Sequence, residues 1–332
     1  MKSPLTGKEM PLRHELRAVT FRKDEVKIRF QFFLCEDSGE KFTTTELDEL
    51  NLLMVEHAYR TKNHIPQRAE ITDIREKYEL SALRMGEILG FGQNTYGLYE
   101  KGDLPSLANA NLIKLARDPL KFKSLVDDWD PKSDKVKSDL LKRIDRLVQA
   151  EKLKMVNLDD YLIGDGEANE FTGFTKPNME KLVEMIVYFA HKVPSYKTKM
   201  NKLLFYADFL MFRVFGNSIS GAKYVAIDYG PVPNMYETIF ENLAVNELID
   251  VFYESKENGS KMEKLMGRAD RPIQLDVFSA EELQSLEKVV LSFQNSAVSE
   301  IVEISHQEIG WLENKNSKRF ISYEYALELK AI

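Results

Sequence analysis

Residues 81–102 read SALRMGEILGFGQNTYGLYEKG, and this stretch decides the fold of the middle of the chain. Ser81 to Leu89 has helical spacing, Gly90-Phe91-Gly92 is a glycine-bounded turn, and a second helix is expected from Gln93 to Lys101, stopping at Gly102. Two short helices joined this way follow the grammar of a helix-turn-helix, whose second helix is shaped for the major groove of DNA. On that helix Gln93, Asn94, Gly97 and Lys101 are expected to face outward, with Thr95 among the candidate contacts, while Tyr96 and Tyr99 pack inward or on the backbone. Asparagine reads adenine through two hydrogen bonds to its N6/N7 edge. Ser81 and Arg84, with Lys101, are placed to meet phosphates. The alternative is a helix pair used only for packing or dimerisation. Charge speaks for it, because residues 69–128 hold eight Lys/Arg against ten Asp/Glu. Phosphate contacts supply most of the affinity, so such a domain binds DNA weakly unless it dimerises.

Upstream, residues 1–42 read as β. Residues 15–20 and 26–33 are strand-like and meet at the charged turn Lys23-Asp24. Two turns of one shape flank them, Ser3-Pro-Leu-Thr6-Gly7 and Cys35-Glu-Asp-Ser38-Gly39. That spacing is the knuckle of a zinc ribbon with most of its ligands gone, and hydroxyls do not ionise near neutral pH. No metal is expected; Val19, Ile28, Phe30 and Phe32 hold the hairpin, and His14 reads as a solvated loop histidine. Residues 43–59 and 71–78 are helical, Pro105-Ser106 opens another helix, and Pro119 opens a last one to Trp129. An amphipathic helix then runs from Pro131 to about Lys154, with a stripe of Val136, Leu140, Ile144 and Leu147. Residues 132–154 hold eight Lys/Arg against four Asp/Glu. The stripe either packs back on its own domain or extends a dimer. Gly164-Asp165-Gly166 and Thr172-Gly173 mark a linker.

From Asn178 the pattern is mixed α/β. Helices are expected at 179–191, 199–215, 234–246, 299–305 and 323–329, and strands at 224–229, 249–253 and 273–277. Ser279 and Glu282 form a capping box ahead of a helix to Phe293. Residues 201–210 put apolar groups all round one helix, which marks it as central and buried. Tyr229-Gly-Pro-Val-Pro233 reads as a tight strand-to-helix connection.

The 332 residues carry a net charge of −7, which argues against a general nucleic-acid coat. No apolar run approaches the ~20 residues of a membrane span, and Met1 to Met10 contains no apolar stretch of a secretory signal. The single cysteine, Cys35, forbids an intramolecular disulfide and fits a reducing cytoplasm. HExxH, P-loop, G-x-S-x-G and G-x-G-x-x-G patterns are all missing, so neither an enzyme nor a cofactor is expected. His306 and Glu308, two apart, would not face each other on a helix and read as a helix end.

Residues 1 to about 128 resemble the MqsA type of antitoxin: a knuckled ribbon, a helix ending in Tyr59-Arg60, and a repressor-like domain closing on Tyr99-Glu-Lys-Gly102. Residues 178–332 are similar to Panacea (SocA-like) domains. The matching stretches are Lys202-Leu-Leu-Phe-Tyr-Ala-Asp208, Ile219-Ser-Gly-Ala-Lys-Tyr224, Tyr229-Gly-Pro-Val-Pro233, and Ile304-Ser-His306 through Trp311 to Leu327's neighbourhood at Ile321-Ser-Tyr-Glu-Tyr-Ala326. Two departures stand out. Ser3, Thr6 and Ser38 replace zinc thiolates, so the metal does not carry over. Asn94 matches a base-reading asparagine, but Leu98 replaces an arginine one turn later.

The expected fold is therefore α+β and multidomain: a ribbon-like hairpin over 1–42, a helix-turn-helix domain over 43–130, a connecting helix and linker over 131–177, and a mixed α/β domain over 178–332. The resemblance implies a cytoplasmic antitoxin whose partners are a cognate protein toxin, bound directly, and operator DNA, repressed as a homodimer. It implies that Tyr206, Asp208, Tyr229, Gly230, Pro231 and Val232 contact the toxin or support the contact. The rival readings are a transcription regulator with a C-terminal sensing domain, and an adaptor that delivers a toxin to a protease.

Overall fold

The computed structural model describes every residue except Lys132, residues 154–157, Asp165 and residues 256–260. The expected helix end at Lys154 and the linker residue Asp165 lie outside the described residues. Two compact units divide the chain: Met1–Glu15, Arg29–Asn51 and Leu158–Ile332 form one, and Leu16–Ile28 with Leu52–Asn157 the other. No described helix is long and apolar enough to cross a membrane.

Strands β1 (Leu12–Phe21) and β2 (Asp24–Leu34) form a hairpin, and β3 (Lys41–Phe42) pairs antiparallel with β2, in the order β1-β2-β3. The period-two pattern from Val26 buries Val26, Ile28 and Phe32. Arg22 and Lys23 take positive φ, as a two-residue hairpin turn of the primed kind requires. His14 is on β1, half-buried, with Nε2 3.4 Å from Glu328, and so is not a loop residue. Helix α1 (Thr45–Lys62) follows, with the Thr44 hydroxyl accepting from the Leu47 amide.

The second unit contains α2 (Arg68–Glu76), α3 (Ala82–Ile88), α4 (Thr95–Glu100), α5 (Leu107–Leu115), α6 (Pro119–Asp128) and α7 (Asp134–Leu153). One core holds Ile71, Tyr78, Met85, Tyr96, Ile113, Phe122 and Val126. Leu140 and Ile144 of α7 join it, and the Lys137 ammonium donates to the Asp127 and Trp129 carbonyls at 2.6 Å. Three of the four stripe residues, Leu140, Ile144 and Leu147, thus pack within their own unit, and Val136 is exposed.

The first unit continues with α8 (Leu158–Ile163), α9 (Met179–Lys192), β4 (Ser195–Tyr196), α10 (Lys197–Phe215), β5 (Tyr224–Ile227), β6 (Gly230–Pro233) and α11 (Tyr236–Val245). It closes with β7 (Ile249–Ser255), β8 (Lys261–Gly267), α12 (Ala280–Phe293), α13 (Val298–Ser305), α14 (Ile309–Asn314) and β9 (Phe320–Ile321). Two small sheets, β4-β8-β7 and β6-β5-β9, surround α10. The expected capping box at Ser279 and Glu282 is present.

Three readings need correction. Residues 230–233 are a strand, antiparallel to β5 with Pro231 opposite Ala226 and Pro233 opposite Tyr224. Prolines are tolerated there because β6 is an edge strand with no second neighbour to donate to. Residues 273–277 hold a 3-10 turn, Leu275–Val277, and the partner of β7 is β8. Its sequence KMEKLMG favours helix, and pairing with β7 overrides that preference. The expected last helix is a 3-10 segment, Tyr323–Glu328.

Candidate functional site

The C-terminal motifs converge on α10. Every residue from Lys199 to Phe212 is buried, so its polar side chains must find partners inside. Asp208 accepts four hydrogen bonds: the Ile219 and Ser220 amides reach Oδ1 at 2.9 Å, and the Ser220 and Tyr224 hydroxyls reach Oδ2 at 2.6 and 2.8 Å. Burial raises its pKa, and these donors pull the other way. The carboxylate thereby fixes the segment ahead of β5 onto the helix. Around it Phe205, Phe209, Tyr224 and Tyr323 pack ring against ring.

The Lys202 ammonium donates to the Pro231 carbonyl at 2.9 Å, joining two of the sequence motifs. Burial pushes this lysine down to about 7. Gly230 lies directly above it with φ 97°; a Cβ there would sit 2.5 Å from Ser305 Oγ and 2.6 Å from Lys202 Cε. Both backbone and space therefore demand glycine. The Tyr206 hydroxyl donates to Glu308 Oε1 at 3.1 Å, while Glu308 Oε2 accepts from the Lys330 amide. Burial raises the Glu308 pKa. Trp311 Nε1 donates to the Ile227 carbonyl at 2.7 Å, and its ring stacks on His306 at 4.1 Å. His306 caps the end of α13 and Glu308 the start of α14, a helix end as expected.

Of the six residues expected to make or support a toxin contact, Tyr206, Asp208, Gly230, Pro231 and Val232 are buried. Tyr229 alone among them projects, 69% exposed at the β5–β6 turn. Sequence reasoning overlooked Lys202, Glu308 and Trp311 as members of this scaffold. For Lys202 a signal existed: a lysine on a helix apolar all round cannot snorkel to water.

In the other unit, Ser81 caps α3 by accepting from the Arg84 amide at 3.2 Å. The Arg84 guanidinium lies 5.2 Å from the Trp129 ring centre and 3.7 Å from Glu87. Helix α4 begins at Thr95, so Gln93 and Asn94 precede it instead of riding on it, and Asn94 takes φ 66°. Both are exposed, as is Lys101, while Thr95 is half-buried. Gly97 is half-buried, and a Cβ there would lie 3.6 Å from Ala82 Cβ, so it serves the contact of α3 with α4. Tyr96 and Tyr99 are buried; the Tyr96 hydroxyl donates to the Ile71 carbonyl at 2.8 Å. Buried Arg60 donates to the Pro66, Gly102 and Asp103 carbonyls, tying the Tyr59-Arg60 helix end to the end of the YEKG stretch. In the first unit the turns at Ser3 and Cys35 meet. The Ser3 hydroxyl donates to Cys35 Sγ at 3.2 Å, and hydrogen bonding from Ser3 and Ser38 lowers the thiol pKa against its burial.

The residues linking α10, the β5–β6 turn and α13–α14 define a mixed α/β domain organised round one buried helix. Residues 200–312 match the family model described as antitoxin SocA-like, Panacea domain, and the matched stretch contains Lys202, Asp208, Gly230, Glu308 and Trp311. Comparison with curated proteins and with solved structures gave no match.

Proposed function

We propose that this chain is the antitoxin of a type II toxin–antitoxin pair. It neutralises a cognate protein toxin by stoichiometric binding through the C-terminal domain, without catalysis. It regulates its own promoter through α3 and α4 acting as a helix-turn-helix, as a homodimer in a cytoplasm. The observation that carries this reading is that the SocA-like match falls on the buried scaffold that holds the Tyr229 turn in place. A scaffold that fastens the backbone on both sides of the exposed turn, through Lys202 to Pro231 and Trp311 to Ile227, supports reading it as a preorganised surface, which lowers the ordering cost of binding a partner. Exposed Gln93, Asn94 and Lys101 support the promoter role, and exposed Leu98 limits base discrimination. The test is co-expression with the product of the adjacent gene: growth should be restored and the two proteins should co-purify. Continued growth arrest with no co-purification would remove the antitoxin role.

A further inference from the structure

A cavity of about 60 Å³ lies between the first turn of α10 and the β5–β6 turn, with Lys197, Thr198, Asn201, Lys202, Tyr229 and Tyr236 in its wall. Three features there have no counterpart among the described residues. Lys202 is fully buried, and its hydrogen bond goes to a neutral carbonyl; no carboxylate among the described residues pairs with it. Asn201, 2% exposed, leaves Oδ1 buried and unpaired. Helix α10 starts at Lys197 without a side-chain cap, so its first-turn amides keep their positive end toward this region. Among the described residues of the unit, buried Glu184 is matched by Arg271, Glu282 by Lys181 and Asp208 by four donors, whereas Lys199, like Lys202, has only carbonyl acceptors but lies outside the cavity wall. An enclosed water would satisfy hydrogen bonds but would not balance the ammonium.

We infer that this cleft receives the carboxylate of an Asp or Glu side chain of the toxin, which enters beside Tyr229 and pairs with Lys202. The inference rests on the antitoxin reading. The cavity admits a carboxylate on a short stem and little more, and its mouth carries the exposed turn proposed to dock the toxin. A half-turn of the Asn201 amide offers its NH2 to the same anion.

Titration sharpens the test. Free Lys202 sits at about 7, and a bound carboxylate raises it, so binding takes up a proton. Affinity is then full below pH 7 and falls by about tenfold per pH unit above it. Other groups facing Lys202 are Lys197, held 2.7 Å from Glu263 of β8, Tyr229, Tyr236, and His306, whose pKa burial lowers. Lys199 is turned to the Gln294 and Ser296 carbonyls.

The experiment uses the full chain, with acetate and its neutral isostere acetamide as probes. Acetate should raise the thermal midpoint at pH 6.5 and lose that effect at pH 8.5, and acetamide should do nothing. Lys202→Met should lower the midpoint, because the buried Pro231 carbonyl loses its donor. It should lose the acetate response and bind the adjacent-gene product at least tenfold more weakly. Acetate and acetamide acting alike on the wild type, or a folded Lys202→Met holding the toxin as tightly as the wild type, would overturn the inference. If Lys202→Met does not fold, the probe comparison decides alone. Toxin capture without an acetate response removes the cleft and leaves the antitoxin reading. An acetate response without capture removes the antitoxin reading, and with it the toxin as the carboxylate's source.

Discussion

The two units treat their motif residues in opposite ways. In the first unit the motif letters turn inward: Asp208, Tyr206 and Gly230 are buried, Asp208 holding the backbone at Ile219 and Ser220, Tyr206 bonding Glu308, and Gly230 leaving room for Ser305 and Lys202. In the middle unit the expected contacts stay at the surface: Gln93, Asn94 and Lys101 are exposed, while Tyr96 and Arg60 do the holding. A polar residue on a helix apolar all round is a fastener, and its chemistry is used up inside the fold. Gln93 and Asn94, ahead of a short helix, stay open to solvent. Substitutions should therefore separate the two regions by stability against binding.

The largest effect is expected for Asp208→Ala. It strands two amides and two hydroxyls, each worth about 1–3 kcal/mol when unpaired. Urea denaturation should show a loss of about 4 kcal/mol or more, and a loss below about 1 kcal/mol would break the fastener argument. Arg60→Ala should cost about 3 kcal/mol, since three carbonyls lose their donor. A small cost there would mean that the end of α4 is held by packing alone. Gly230→Ala comes next, at about 2 kcal/mol from strain at φ 97°. Thermal melts of that variant should show the loss together with weaker toxin capture.

Glu308 tests burial through pH. Its folded pKa is raised, so the folded state holds the proton more tightly than the unfolded chain. Its contribution is present below the ordinary glutamate value of 4.5 and is lost as pH rises through the raised value. Glu308→Gln keeps the acceptor for Tyr206 and should flatten that decline in melts taken at rising pH. An unchanged slope would place the titration elsewhere. The smallest stability effect belongs to Gln93→Ala, within about 0.5 kcal/mol; Asn94→Ala adds about 1 kcal/mol of strain at φ 66°. Those variants should instead weaken binding to the promoter fragment in a gel shift, and equal binding would take these residues out of the DNA contact.

Helix periodicity, caps and turns made most elements legible in the letters. The capping box at Ser279, the inward tyrosines of α4 and the burial of α10 all follow from local rules. What stayed hidden depends on distant partners. β8 has helix-forming letters and becomes a strand through pairing with β7 on one side and β4 on the other. β6 reads as a turn until β5 is placed beside it. The letters single out residues 206–208 and 229–233 but not what surrounds them. Whether Asp208 faces a partner or an internal cage depends on Ile219, Ser220 and Tyr224, which only the fold brings to it.

The most direct measurement replaces Tyr229 by alanine in the full chain and compares protection of cells expressing the adjacent gene with the thermal midpoint of the purified variant. Tyr229 is exposed, so the midpoint should stay within about a degree or two of wild type. Protection should fall at least tenfold, measured as surviving colonies. Full protection by this variant at an unchanged midpoint would contradict the claim that the buried scaffold exists to present this turn.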